Sequence, residues 1–180
     1  MRIPASLERI GALAFKDCLR LETITVDAGN TAYKSVDGIL YSADGKELIC
    51  VPPARRIVNI NIPEGVETIA DYACAYYKET LLEVTIPESV KKIGDYAFYS
   101  PEHLMKVTFS ENSNLEYIGE YAFYGCRVLT DITLPESITH IGKNAFASCN
   151  VLTIHCEVQS KPDGWHEEWA PGVYKIIWGS

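Results

Sequence analysis

The chain has 180 residues and a formal net charge of −8, with 47% hydrophobic and 22% charged residues. This size and balance are typical of about one folded domain and exclude a disordered chain. The negative charge argues against sequence-independent binding of nucleic acid and against adsorption to an anionic membrane, because both require a basic surface. A membrane-inserted helix is not expected either, since no apolar run approaches the roughly 18 residues that it would need.

The first residues carry charges where a secretory signal would have its apolar segment. Arg2, Glu8 and Arg9 all lie in this stretch, so we predict that the chain contains no signal peptide. The chain also begins inside the repeat described next. We therefore expect a truncated or mature piece of a longer protein.

A short pattern, Ile-Gly-x-x-Ala-Phe, recurs along the chain about every 24 residues after one longer gap. In a weaker copy, Ala70 replaces the glycine and Cys74 replaces the phenylalanine. The five copies start at Ile10, Ile69, Ile93, Ile118 and Ile141. A fixed period of this length predicts a solenoid, because one such unit cannot bury its apolar face without a neighbour.

Each repeat predicts a short strand followed by a turn and a short helix. Leu81, Val84 and Ile86 are apolar, while Glu83 and Thr85 alternate outward. This pattern is typical of a strand buried on one face, and Pro87 ends the strand. The next apolar residues recur at steps of three and four and predict a helix facing inward. They are Val90, Ile93, Ala97 and Phe98. Asp95 and Glu120 are predicted at helix starts, where carboxylates are favourable.

These motifs resemble the BspA-like class of bacterial leucine-rich repeats, over residues 3 to about 156. The matching run is Ile-Pro-x-Ser-Val-x-x-Ile-Gly-x-x-Ala-Phe-x-x-Cys-x-x-Leu-x-x-Ile-Thr-Leu. The fold class expected is α/β, a right-handed β-α solenoid with a β-hairpin insertion at about residues 27–61. Residues 36–41 and 46–52 would be the two strands, with Asp44 and Gly45 in the turn.

The resemblance also implies a domain organisation and a location. Residues 1–156 would form the solenoid, and residues 157–180 would form a C-terminal capping segment of the same domain. Proteins of this class are bacterial surface or secreted proteins concerned with adhesion and with host or neighbour contact. The resemblance therefore implies an extracellular or cell-surface location.

The cysteines indicate core positions more than chemistry. Cys18, Cys126 and Cys149 each follow a phenylalanine anchor by three residues, so we predict that they are buried free thiols. His155 and Cys156 come close to Cys149 in sequence, but they provide too few ligands for a metal site. We predict no metal site, no cofactor and no catalytic residue, because no phosphate loop or nucleophile motif is present.

Two surface rows follow from stacking of the repeats. On the strands, one predicted row is Thr23, Glu83, Lys106 and Asp131, and a parallel row is Thr25, Thr85, Thr108 and Thr133. Within the first row, Lys106 should pair with the carboxylates on either side of it. In the turns the row is Leu13, Tyr72, Tyr96, Tyr121 and Asn144, with Tyr99 and Tyr124 as companions. The tyrosines either bind a partner or brace neighbouring turns by stacking. The candidate partner-binding residues are Tyr72, Tyr96, Tyr99, Tyr121, Tyr124, Glu83, Lys106 and Asp131.

The tail contains the sequence Trp165-His166-Glu167-Glu168-Trp169. Two carboxylates between indoles could form a sugar-binding or glycosidase site. Alternatively, Trp165, Trp169 and Trp178 close the open end of the solenoid, because terminal repeats need a cap. Capping is the preferred interpretation.

The function predicted from these observations is a non-enzymatic, monomeric scaffold that recognises a protein or a glycan. Two alternatives stay open. One is a carbohydrate-active enzyme that uses the tryptophan-rich tail. The other is a structural spacer domain of a larger surface protein.

Overall fold

A computed structural model of the chain describes residues 1–11, 13–77 and 80–180. In these residues the regular structure consists of fifteen β-strands, and no helix is formed. The strands are β1 (Arg2–Ile3), β2 (Thr25–Val26), β3 (Tyr33–Val36), β4 (Ile39–Ser42), β5 (Glu47–Cys50), β6 (Asn59–Asn61), β7 (Thr68–Ile69), β8 (Glu83–Ile86), β9 (Lys92–Ile93), β10 (Lys106–Phe109), β11 (Tyr117–Ile118), β12 (Asp131–Leu134), β13 (His140–Ile141), β14 (Thr153–Cys156) and β15 (Lys175–Trp178).

Successive repeats stack in parallel, and each contributes a long strand and a short strand. The long strands form two parallel sheets, β6-β8-β10 and β12-β14-β15, while the short strands β7, β9, β11 and β13 join a separate sheet with β3, β4 and β5. Equivalent residues lie side by side, for example Val84 opposite Val107 and Ile93 opposite Ile118. The result is a β-solenoid in which each coil covers the apolar side of the previous one.

The predicted β-α solenoid is wrong, because the segment after each Ile-Gly pair forms a turn and not a helix. In an α-helix each N–H donates to the carbonyl four residues earlier. Tyr96 instead donates its N–H to the Glu120 carbonyl of the next coil at 2.9 Å, and Phe98 donates to Ala122 at 2.7 Å. Tyr96 also has a φ of 57°, outside the right-handed helical region. The fold class is therefore all-β, and Asp95 and Glu120 do not cap helices.

The segment between the first two repeats forms an antiparallel meander of three strands. β3 pairs with β4, and β4 pairs with β5. β5 then pairs in parallel with β7, with Leu48 opposite Ile69, so it occupies the place of a short strand in the solenoid. The strands β4 and β5 are covered on both faces, since Tyr41 and Leu48 pack in the main core while Leu40 and Cys50 pack against a smaller core of the first repeat.

The phenylalanine anchors form a column inside the coils. Phe98 stacks on Phe123 with ring centroids 5.1 Å apart, and Phe123 stacks on Phe146 at 5.2 Å. Trp169 continues the column, with its ring edge-on to Phe146 at 5.9 Å. The repeated Ala-Phe of the sequence motif is therefore the central element of the core, where each ring buries its faces against the neighbouring coils.

Candidate functional site

Six tyrosines lie in the turns that follow the short strands, and we call them the tyrosine face. They are Tyr72, Tyr76, Tyr96, Tyr99, Tyr121 and Tyr124. The Tyr96 ring lies between Tyr72, at 4.7 Å between centroids, and Tyr121, at 4.9 Å, with the planes tilted by only 3° and 8°. Asn144 ends this column by donating a hydrogen bond from Nδ2 to the Tyr121 hydroxyl at 2.9 Å. The residues predicted from Tyr72 to Asn144 thus form one continuous row.

A second column leans against the first. Tyr99 and Tyr124 stack with centroids 5.0 Å apart and planes 8° apart. The Tyr99 ring lies 5.4 Å from Tyr96 at an angle of 47°, and Tyr124 lies 5.7 Å from Tyr121 at 54°. Leu13, predicted to begin the row, is an exposed residue of the first coil, and the stack begins at Tyr72.

Four of the six tyrosines have an unfavourable backbone conformation. The φ angles are 60° for Tyr72, 63° for Tyr76, 57° for Tyr96 and 54° for Tyr121. This left-handed region costs a residue with a β-carbon about 1–2 kcal/mol, and only glycine and, less readily, asparagine adopt it routinely. The equivalent residue of the coil that follows Tyr121 is Asn144, with a φ of 55°. The left-handed backbone of this turn therefore favours asparagine, and the tyrosines occupy the position at a cost in conformational energy.

The prediction from sequence missed Tyr76. Its ring lies 5.6 Å from the Tyr99 ring at an angle of 60°. The equivalent residues in later coils are Ser100, Gly125 and Ser148, so no repeated tyrosine marks the position. These residues also have positive φ angles, of 54°, 73° and 62°. This turn position recurs in each coil and holds serine or glycine in the later ones. Its recurrence is the signal that could have identified Tyr76.

The hydroxyl groups of Tyr72 and Tyr96 stay protonated at neutral pH. Burial raises the pKa of Tyr96, with further contributions from the neighbouring tyrosines and from the Glu120 carboxylate. Burial also raises the pKa of Tyr72, which lies near the Asp71 and Asp95 carboxylates. Each hydroxyl can therefore both donate and accept a hydrogen bond.

The structure assembles only part of the predicted strand row. Lys106 lies opposite Glu83 in the β8-β10 ladder, but β12 belongs to the other long-strand sheet, so Asp131 is not the ladder partner of Lys106. Asp131 instead approaches His155, with 3.7 Å between Oδ1 and Nε2. No ion pair to Lys106 is found in the part of the chain that the structure describes. A surface cavity of about 690 Å³ lies over this break, between β10 and β12.

The first members of the two predicted strand rows also lie elsewhere. Thr25 is opposite Arg2 in the small β1-β2 sheet, and Thr23 precedes that sheet. The residue that stands beside Glu83 on its other side is Asn59, from the strand that ends the insertion. The strand row was predicted from the spacing of the Ile-Gly motifs. The repeat that contains β6 has no such motif before its strand, so Asn59 was not included in the row.

The tryptophans of the tail extend the core. Trp165 and Trp169 are buried, and the Trp165 Nε1–H donates to the Ile138 carbonyl at 3.1 Å. Their rings meet edge to face at 4.9 Å and are not available to stack on a sugar. Glu167 is exposed, while the Glu168 carboxylate pairs with Lys143 at 3.0 Å. The arrangement does not form the sugar cleft considered from the sequence.

The cysteines are free thiols. Cys126 and Cys149 are fully buried, as expected, whereas Cys18 is half-buried in the first coil. Burial raises the pKa of Cys50 and Cys156 to about 12, so these thiols are protonated at neutral pH. The environment of Cys50 and Cys156 therefore suits core packing and does not activate a nucleophile.

Neither a metal cluster nor a membrane-spanning helix is found in the described residues. In the ranges 1–11, 13–77 and 80–180, no three or more His, Cys, Asp or Glu side chains lie close enough together to hold a metal ion. Over the same residues no helix is long and apolar enough to cross a membrane.

A model of a known protein family matches most of the chain. The family model described as BspA type leucine-rich repeat region matches residues 1–36 and 54–161, in six copies. The unmatched residues between the two ranges contain β4 and β5 of the meander. The comparison with curated proteins found no match.

Several solved structures of leucine-rich repeat proteins are similar to the chain. A leucine-rich cell surface protein from Faecalibacterium prausnitzii is 33% identical, with a TM-score of 0.83, over 100% of this chain and 48% of that one. The pneumococcal vaccine antigen PcpA is 24% identical, with a TM-score of 0.81, over 99% and 42%. A protein from Eubacterium ventriosum is 23% identical, with a TM-score of 0.76, over 98% and 47%. The last two show the fold alone.

The chain spans less than half the length of each of these three proteins. Neither the family description nor the names of the three structures mention an enzymatic activity. The resemblance seen in the repeated motif is confirmed by a family model that matches most of the residues and by a structure one-third identical over the whole chain. The chain belongs to the BspA-type leucine-rich repeat family.

Proposed function

We propose that the chain is a non-enzymatic recognition scaffold, and that the tyrosine face binds a protein or a glycan in contacts of a bacterial surface with a host or a neighbouring cell. The observation that carries this proposal is the backbone of the tyrosines. Tyr72, Tyr96 and Tyr121 occupy a position whose left-handed φ suits asparagine, as Asn144 shows. Strained residues of this kind cluster at functional sites.

The stack also suits recognition energetically. Tyrosine provides a large contact area and a hydroxyl group at a low cost in conformational entropy. In this face the rings restrain one another, because Tyr96 has a neighbour on each side at less than 5 Å. A partner therefore meets a surface that is already ordered, which reduces the entropic cost of binding.

The similar structure from Faecalibacterium prausnitzii supports the proposed location. That protein is described as a leucine-rich cell surface protein. We extend this location to the present chain as part of the proposal. Contact with other cells is then the setting in which the tyrosine face would meet its partner.

The test compares binding with stability in a matched set of variants. The fluorescently labelled chain is applied to an array of purified glycans and extracellular proteins. Tyr96→Asn combined with Tyr121→Asn should reduce the wild-type signals about tenfold or more, because hot-spot tyrosines carry most of an interface's energy. Tyr174→Asn is the control, since Tyr174 is 74% exposed and lies outside the tyrosine face.

The thermal midpoint decides between recognition and bracing. If the face serves recognition, the double variant should keep its midpoint, because asparagine relieves the backbone strain while the stacking is lost. A collapse of the midpoint together with the binding signals would make the tyrosines structural. A wild-type chain that binds nothing on the array would favour the spacer.

A further inference from the structure

A column of carboxylates accompanies the tyrosine face. Asp71, Asp95 and Glu120 each directly precede a tyrosine of the first column. The Asp71 Oδ1 accepts the N–H of Asp95 at 2.9 Å, and the Asp95 Oδ1 accepts the N–H of Glu120 at 2.8 Å. The Asp71 and Asp95 carboxylates are therefore held by the next coil, and all three acidic residues recur with the period of the tyrosines that they precede.

Two of the positive charges nearby, those of Lys143 and Lys92, are engaged elsewhere. Lys143 continues the carboxylate column in the next coil, and its ammonium group pairs with Glu168 at 3.0 Å. Lys92, on the short strand β9, lies over the Tyr117 ring at 5.2 Å from the centroid. The tyrosine face thus presents its hydroxyl groups beside three negative charges, which favours a partner with basic side chains.

The ring geometry restricts how a partner can bind. A sugar packs on the open face of an aromatic ring, but both faces of the Tyr96 ring are covered by Tyr72 and Tyr121. Tyr99 has Tyr124 on one face and Tyr76 against it at a tilt. A partner therefore contacts these central rings at their edges and hydroxyl groups. Hydroxyl groups in a row suit the carbonyls and N–H groups of a polypeptide backbone.

The spacing of the tyrosine rings distinguishes between two extended conformations of a bound peptide, the β-strand and polyproline II. Two coil steps, of 4.7 and 4.9 Å between ring centroids, separate Tyr72 from Tyr121. Side chains on one side of a β-strand repeat at roughly 6.6–6.8 Å, which fits neither one step nor two. In polyproline II, residues three apart repeat at about 9.3 Å, which fits two steps. Aromatic surfaces are also the usual docking sites of this conformation.

We propose that the tyrosine face binds a polyproline II segment of a partner protein, in which two arginines three residues apart reach Asp71 and Glu120. This inference rests on the proposed function and specifies the partner's chemistry. Arginine matches a carboxylate in two parallel hydrogen bonds, so the pair fixes the register of the segment along the coils.

The experiment uses the full chain and two labelled peptides of the same composition. The first is Pro-Pro-Arg-Pro-Pro-Arg-Pro-Pro, and the second has its two arginines adjacent in the centre. Fluorescence anisotropy should show that the first peptide binds several-fold more tightly, since only its arginines match both carboxylates. Equal affinity for the two peptides, or no binding of either, would overturn the inference.

Two double variants distinguish direct contacts between the arginines and the carboxylates from general electrostatic attraction to an acidic protein. Asp71→Asn with Glu120→Gln should weaken binding of the first peptide about tenfold or more, because charge-assisted hydrogen bonds are lost. Asn at position 71 keeps the oxygen that accepts the Asp95 N–H. Glu64→Gln with Glu136→Gln makes the same change in net charge at two exposed residues and should change the affinity less than about twofold. Equal losses in both pairs would contradict the proposed register.

The two proposals fail in different ways. If the array signals depend on Tyr96 and Tyr121 while neither peptide binds, the tyrosine face recognises another partner and only the polyproline inference is lost. If the peptide binds but the tyrosine variants leave its affinity unchanged, the carboxylates act without the rings and the inference is wrong.

Discussion

Gly119 lies so close to the backbone of Asp95 in the preceding coil that a β-carbon built on Gly119 would be 2.6 Å from the Asp95 nitrogen. Gly94 and Gly142 repeat this approach, at 2.7 Å and 2.5 Å from the equivalent nitrogens. Contacts this short involve rigid backbone and cannot be relieved by a side-chain rotation. The glycine of the repeated Ile-Gly motif is therefore a requirement of coil stacking.

We predict that Gly119→Ala destabilises the protein. The added methyl group must push two coils apart, and overpacking of this kind costs about 1–3 kcal/mol. Urea denaturation followed by circular dichroism measures the loss. Gly11→Ala is the matched control, because no described residue beyond the chain neighbours of Gly11 has an atom within 4 Å of its β-carbon position, and the stability of this variant should change little. Equal stability of the two variants would mean that the coils can separate at no cost.

The fold was predictable to the level of the repeat and not to the level of the backbone. The positions of Phe98 and Phe123 in the core follow from periodicity alone. Apolar residues at steps of three and four, however, fit a short helix and a tight turn equally well. What decides is that Tyr96 donates its N–H to Glu120 of the next coil, a contact that does not exist within one repeat.

The candidate site was likewise predictable where its residues repeat in the sequence and not where they occur once. The tyrosine columns were predicted because Tyr72, Tyr96 and Tyr121 recur with the period of the coils. Tyr76 occurs once at its turn position, so repetition could not identify it. The expected pairing of Lys106 with Asp131 failed because the strand ladder is interrupted between β10 and β12, a relationship between coils that the alignment of single repeats does not contain.

We predict that Trp165→Phe destabilises the C-terminal end by about 2–3 kcal/mol. The substitution leaves the buried Ile138 carbonyl without its donor and removes part of a packed ring. Thermal unfolding measures the loss. Tyr174→Phe, at a residue that is 74% exposed, should stay within about 0.5 kcal/mol of the parent protein. A neutral Trp165→Phe would contradict a capping role for this segment.

We predict that one thiol reacts with Ellman's reagent in the native protein near neutral pH. Cys18 is half-buried, while the other five cysteines are buried. Burial raises the pKa of Cys50 and Cys156 to about 12, so hardly any reactive thiolate forms there. Cys18→Ser should abolish the fast reaction. In urea without reductant all six cysteines of the chain should react, and a lower number would reveal a disulfide.

Two glutamates near the insertion predict pH effects of opposite sign. Burial, together with the Asp71 carboxylate, raises the pKa of Glu47 above its ordinary value. The hydrogen bond and charge of Lys46, whose Nζ lies 2.8 Å from the carboxylate, lower the pKa of Glu67. A raised pKa means that ionisation of Glu47 opposes folding once the pH exceeds that pKa, whereas ionisation of Glu67 favours folding above its unfolded value.

We therefore predict that Glu47→Gln raises the thermal midpoint at pH 7 and that Glu67→Gln lowers it. Near pH 3 both carboxyls are mostly protonated in the unfolded chain. There the effect of Glu47→Gln should vanish, because Glu47 is neutral in both states, and the effect of Glu67→Gln should shrink as the pH falls through the lowered pKa. Thermal midpoints of the two variants and the parent protein, measured from pH 3 to pH 8, test this directly. Parallel curves for the two variants would show that neither carboxylate titrates differently on folding.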